Sequence, residues 1–460
     1  MKIPHPNALR RAAGFPLTLL LGSFLGVLTS AFAADAPTLT LHGPDGQTQV
    51  VNRFAELPAQ LAKSTAPGDW RLTVNGQNEL LGGVHVSLAT GQRLIIEGGG
   101  PDAGFEAAQV PPDQAAIYLD AGRFEVHGLT IRHGPHWSLR VADNVRYHLS
   151  QLRILDARGG GIAVFGPHGV DQKGPTNNVI EHCLVEHFNT DGAKWKNDGI
   201  LLQDNQARVS ANVVRDSPTE TMGIRVMGAG NYIDGNLVQN VSSKDSGAIY
   251  LGAGDGIYTA VGNFVRHNVV VGAQCGIYLD DGTCAAQVGK NYLIDCRGAA
   301  LYVGGGRDNS VRENVALRCP VFAQMDNRRS GWPALPEKAK TFSDARARLK
   351  KAVNQKDLRE RLVAAGFDVN AFEKLSKEDF NRPEGNRLAG KVLMPPAMEI
   401  KWQNYFHPGE PIVGITTADP ALPNRQLPAS VTDWQQLSGN AVGIQNMPDV
   451  AEILKGIGSP

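Results

Sequence analysis

A short apolar motif returns six times between about residues 160 and 325, and it constrains the fold of this chain more than any other feature. The units open Gly161-Ile162-Ala163-Val164, Gly199-Ile200-Leu201-Leu202, Gly223-Ile224-Arg225-Val226, Ala248-Ile249-Tyr250-Leu251, Gly276-Ile277-Tyr278-Leu279 and Ala300-Leu301-Tyr302-Val303. Counted from Ile162, the steps are 38, 24, 25, 28 and 24 residues. The long first step holds a Gly- and Pro-rich insertion around 166–176; the others suit one three-sided turn of strand. A second row follows in each unit: Asn212, Asn236, Asn268, Asn291 and Asn314, each before an apolar pair. Asparagine at one place in successive turns can form an amide ladder along a stack, so these residues read as structural.

Counted from the isoleucine, each short strand points its first and third residues, such as Ile249 and Leu251, inward and the one between outward. Coils of this kind stack into an all-β, right-handed parallel β-helix, a single-stranded solenoid. High glycine (52 residues) and few aromatics (7%) fit many short strands and tight turns better than a helical bundle. A leucine-rich-repeat horseshoe would carry a fixed leucine consensus, and this chain has none. Segments 124–131 and 137–154 read as earlier, less regular coils. Residues 53–63 read as an amphipathic helix capping the open N-terminal end. The predicted organisation is a signal peptide at 1–33, a cap and first coils at 34–110, and a β-helix core at 111–335. A charged helical insertion follows at 336–394, then an irregular segment at 395–460 that packs on the helix.

Lys2, Arg10 and Arg11, an apolar run from Phe15 to Leu28 and Ala31-Phe32-Ala33 together read as an export signal cut after Ala33. The expected location is periplasmic or extracellular in a bacterium. Removing those three basic residues and no acid leaves a net charge of −3, a balance that disfavours nucleic acid as a partner. No second long apolar run is present, so no membrane span is expected in the mature protein. Five cysteines, Cys183, Cys275, Cys284, Cys296 and Cys319, are an odd count without metal spacing and read mainly as buried thiols. Cys296 and Cys319 fall on adjacent coils, where a bridge is conceivable.

The first outward row reads Ala163, Leu201, Arg225, Tyr250, Tyr278 and Tyr302. Three tyrosines on consecutive coils offer flat faces with polar tips, suited to sugar rings or simply to a stabilising ladder. Glycines at 228, 230, 252, 254 and 304–306 suggest a trough beside them. Asp204, Asp255, Asp280, Asp281 and Asp308 lie near its walls, with Arg307 adjacent. From each coil's first inward residue Asp281 is at +4, Asp255 at +6 and Asp308 at +7, so the three could converge. Crowded carboxylates push one another to hold a proton, which is what glycoside hydrolysis uses. Ordinary turn chemistry explains the same residues.

Three motifs in fixed order, Asp245-Ser246-Gly247-Ala248-Ile249-Tyr250, Ile277-Tyr278-Leu279-Asp280-Asp281 and Gly304-Gly305-Gly306-Arg307-Asp308-Asn309, resemble bacterial pectin-lyase-fold proteins. Among these are glycoside hydrolases of the α-L-fucosidase and xylanase type, family 141. The likeness covers roughly residues 120–335, and Asp326-Asn327-Arg328 looks like an altered form of the group's next element. The resemblance implies a catalytic aspartate pair drawn from Asp245 and Asp280 or Asp281. Register favours Asp281 with Asp308, since Asp245 precedes its strand. Tyr250, Tyr278, Tyr302, Arg225, Arg307 and Asp255 are the expected substrate contacts. The function expected is hydrolysis of a polysaccharide or oligosaccharide, without cofactor. One rival is a lyase or epimerase on uronate-containing glycans, with calcium as a cofactor and Lys290, Arg307, Arg312 or Lys194 as base. The other is a non-catalytic carbohydrate-binding envelope protein. His127, His133, His136, His182 and His187 form no metal-like constellation in the sequence.

Overall fold

The computed structural model describes residues 37–64, 66–166, 176–193, 197–241, 247–252, 259–280, 282–326, 336–376, 385–393 and 400–403. The export signal, the Gly-Pro insertion at 167–175, Lys194, Asp245, Asp255, Asp281, 327–335 and 404–460 lie outside them.

The strands pair in parallel, coil on coil, into a 12-stranded front sheet and a 22-stranded sheet that supplies the other two sides. The register follows the repeat. Ile162 pairs with Ile200, Ile200 with Ile224, Ile224 with Ile249, Ile249 with Ile277, and Ile277 with Leu301. The inward residues of all coils merge into one apolar core running from Leu39 to Met325. Burying each aliphatic side chain contributes roughly 1.5–3 kcal/mol.

The asparagine row forms the expected ladder. Asn212, Asn236, Asn268 and Asn291 each donate from Nδ2 to Oδ1 of the next asparagine, at 2.8–3.0 Å. A second ladder, absent from the sequence reading, runs along another corner. There Asn231 donates its backbone N–H to Asn263 Oδ1 at 2.8 Å, and Asn309 Nδ2 donates to Asn386 Oδ1 at 2.9 Å. Corner residues between strands take left-handed backbone conformations, including His182, His267, Lys290 and Glu313 at one corner. These are costly for residues other than glycine, and the ladders hold them in place.

At the N-terminal end, Phe54–Glu56 and Leu57–Ala62 form short helical turns that bury Phe54, Leu57 and Leu61 in the main core. Phe54 packs 4.5 Å from Phe105, ring to ring. An unforeseen hairpin, Thr38–His42 with Thr48–Val51, adds antiparallel to Gly68–Asn75 and covers the sheet edge there.

Near the other end the chain leaves the stack in three helices, Pro336–Val353, Lys356–Ala364 and Val369–Lys374. It rejoins the stack as Arg387–Leu393 and Ile400–Gln403, parallel to Ser310–Leu317 and Val321–Asp326. Leu349, Leu358, Leu362 and Phe372 pack on Ala229, Val261, Phe264 and Ala285. This contact explains part of the glycine pattern. A Cβ on Gly230 would meet Leu358 at 2.8 Å, and one on Gly262 would meet Leu362 at 3.2 Å. At Gly230, therefore, the space read as a trough for ligand is filled by the insertion. Among the described residues no helix is long and apolar enough to cross a membrane.

All five cysteines are free and buried, Cys296 and Cys319 included. Burial pushes the Cys183 and Cys284 thiols up to about 12 and Cys275 higher still. Only a thiolate alkylates readily. At pH 8 these three should therefore resist iodoacetamide in the native protein and react fully in guanidinium, as read by intact mass. Fast native labelling would contradict the packing.

Candidate functional site

The outward side of the front sheet carries three parallel rows of side chains. The middle row runs Ala163, Leu201, Arg225, Tyr250, Tyr278, Tyr302 and Gln324, each paired with the next. Two residues further along each strand, on the same face, lie Gln203, Met227, Gly252, Asp280, Gly304 and Asp326. Two positions before each strand's first inward residue lie Asp198, Met222, Gly247, Cys275, Ala299 and Val321.

These rows bring Tyr250, Tyr278, Tyr302 and Asp280 together, as the sequence expects, and add Asp326. Tyr278 stacks on Tyr302 with centroids 4.4 Å apart and planes 7° apart, and meets Tyr250 edge-on at 5.2 Å. The Tyr250 hydroxyl donates to Asp280 Oδ2, and the Tyr302 hydroxyl donates to Asp326 Oδ2 at 2.6 Å. Each acid is thus held by a tyrosine from the preceding coil. On the coil between them the position of the acid is taken by Gly304, so the two carboxylates stand two coil rises apart. Normal strand spacing makes that roughly 9–10 Å between backbones.

The tyrosine faces are not laid open. Tyr250 is 2% and Tyr278 1% exposed, packed with Met222 and Cys275, and only Tyr302 is partly accessible. Asp280 and Asp326 are buried as well. The Tyr278 and Tyr302 faces stack on each other, as in the ladder reading of the stripe.

Arg225 turns away from the tyrosines. Its Nε donates to Asp198 Oδ2 at 2.8 Å, and Asp198 is fully buried. Burial raises the Asp198 carboxyl above the usual carboxylate range; Arg225, the Met222 N–H and Thr221 oppose it. Asp198 went unrecognised in the sequence. Strict alternation hides it, because two residues upstream of the inward Ile200 it would also point inward.

Arg307 and Asp308 lie at the next corner. Asp308 has a left-handed φ of 57°, and Arg307 Nε donates to its Oδ2 at 2.6 Å. Both line a cavity of about 160 Å³ walled by the helical insertion through Phe367 and Phe372, and no front-row tyrosine lines it. Asp308 and Arg307 thus border this cavity past the end of the Ala299–Gly304 strand, outside the three front-face rows. Among the described residues no group of three or more His, Cys, Asp or Glu side chains could hold a metal ion.

A family profile described as "Right handed beta helix region" matches residues 114–319. The fold is a right-handed parallel β-helix. Among solved structures, endopolygalacturonase I from Stereum purpureum, complexed with two galacturonates, is 12% identical with a TM-score of 0.40. The match covers 60% of this chain and 86% of that one. The periplasmic alginate epimerase AlgG is 11% identical over 86% of this chain and 100% of its own, TM-score 0.34. The Streptococcus pneumoniae surface protein and adhesin PfbA is 10% identical over 79% and 95%, TM-score 0.28. No curated protein matches the chain in sequence.

Proposed function

We propose that this is an exported glycoside hydrolase, and that Asp280 and Asp326 are its acid and base. The observation that supports the reading is their shared place: one face, one row, two coils apart, each oriented by a tyrosine hydroxyl. One carboxyl would protonate the leaving oxygen while the other activates water. A separation of roughly 6.5–9.5 Å between carboxyl groups leaves room for that water and gives inversion. Two coil rises set the backbones of the pair roughly 9–10 Å apart, at the upper edge of that range. Tyrosine hydroxyls beside each acid supply directed hydrogen bonds in a water-poor site, where such bonds are strong. The burial of both acids sets a condition: a saccharide reaches them only if the front face opens around it.

The resemblance to family 141 enzymes agrees with this chemistry and leaves the sugar open. The test is incubation with neutral and acidic polysaccharides, reading both new reducing ends and ultraviolet absorbance. Reducing ends without absorbance are expected. Absorbance would mean elimination and move the chain to the lyase reading. No product from any glycan would leave a binding protein.

A further inference from the structure

We infer a second ligand site, on the side of the stack away from the front sheet, that takes a carboxylate-bearing oligosaccharide. Arg266 pairs in register with Gly289, and Gly289 with Arg312. Two arginines thus flank a position without a side chain, two coil rises or roughly 9–10 Å apart. A cavity of about 230 Å³ opens over Gly289. It shares Gln287, Ser310 and Arg312 with the 160 Å³ cavity beside the insertion, which adds Arg387 and the Phe367 wall.

The charges around these joined cavities do not cancel. Asp308 is taken by Arg307 and Glu313 lies 4.0 Å from Lys290, which leaves Asp368, the cap of the Ala371 N–H at 2.9 Å, as one carboxylate facing three arginines. Among the described residues Arg266, Arg312 and Arg387 form no ion pair; Arg266 lies over the Phe264 ring instead, at 5.1 Å. Three guanidiniums against one carboxylate leave the cleft an excess of positive charge that calls for an anion, and their planar fork matches a carboxylate. The apolar Phe367 wall suits the C–H face of a sugar, and Gln287 and Ser310 suit its hydroxyls. A chain with a carboxylate on each sugar can meet Arg266 and Arg312 together. A small inorganic anion would leave the apolar wall unused.

Calorimetric titration of the full chain with hexagalacturonate tests this. The readout is binding, so it stands whether or not the front face is catalytic. Binding should weaken with added salt, and Arg312→Glu should weaken it by roughly tenfold or more. Arg312→Lys should recover part of it. Arg312 is exposed, so both variants should fold, which their melting curves will verify. Equal binding by Arg312→Glu would overturn the site, as would equal binding of the neutral methyl-esterified oligomer. Displacement of hexagalacturonate by equimolar inorganic phosphate would overturn the saccharide assignment.

Discussion

Asp326→Asn should lower turnover on a cleaved glycan by roughly 10³-fold while leaving the fold intact, and Asp280→Asn should do much the same. The asparagine keeps the shape of the buried side chain, and its Oδ1 can still accept from Tyr302. What it loses is the ability to give up or take a proton. Tyr302→Phe removes only the orienting hydroxyl at 2.6 Å and should cost roughly tenfold. Because acid and base act in one transition state, the double variant should fall little below the worse single one. Rates should be measured beside thermal melting of every variant. Full turnover by a folded Asp326→Asn protein would remove Asp326 from the mechanism. A rate loss accompanied by an equal fall in melting temperature would make the tyrosine–aspartate pairs structural.

The coils were legible because solenoid stacking repeats one burial pattern. Ile200, Ile224, Ile249 and Ile277 occupy equivalent inward places, and the alternation of a strand then assigns Arg225, Tyr250 and Tyr278 to the outer face. The Asn212–Asn314 row was legible for the same reason. Three things were not. Alternation says which way Tyr278 points but not what lies over it, so its burial was hidden. The count to Asp308 carried no information on where the strand ends: it stops at Gly304, and Asp308 follows at a corner with a left-handed φ of 57°. Gly230 and Gly262 turn corners at φ of 69° and 62°, and Leu358 and Leu362 also press on them from about a hundred residues away in sequence. No local pattern encodes such a contact. Asp326 stood in plain view, and carrying the alignment one coil further, to Ala323, would have placed it in the row of Asp280, two coils on.

Asn268→Ala should destabilise the protein by about 3–5 kcal/mol, more than its size suggests. Asn268 is fully buried in the middle of the ladder. Its Oδ1 accepts from both the backbone N–H and the Nδ2 of Asn236, each at 2.9 Å. Its Nδ2 donates to Ile233 O at 2.9 Å and Asn291 Oδ1 at 3.0 Å. Alanine leaves those groups facing a dry gap, and each unsatisfied buried group costs about 1–3 kcal/mol. Neighbouring rungs recover some of this by shifting, which keeps the total below the simple sum. The residue before it, His267, sits at a φ of 55° and depends on the same corner. Asn268→Asp should be no milder: it keeps the acceptor, loses both donors and adds a buried charge. Equilibrium urea unfolding of the three proteins measures this. A cost below about 1 kcal/mol for alanine would show that water or backbone movement replaces the amide, and that the inward isoleucines alone hold the coils in register.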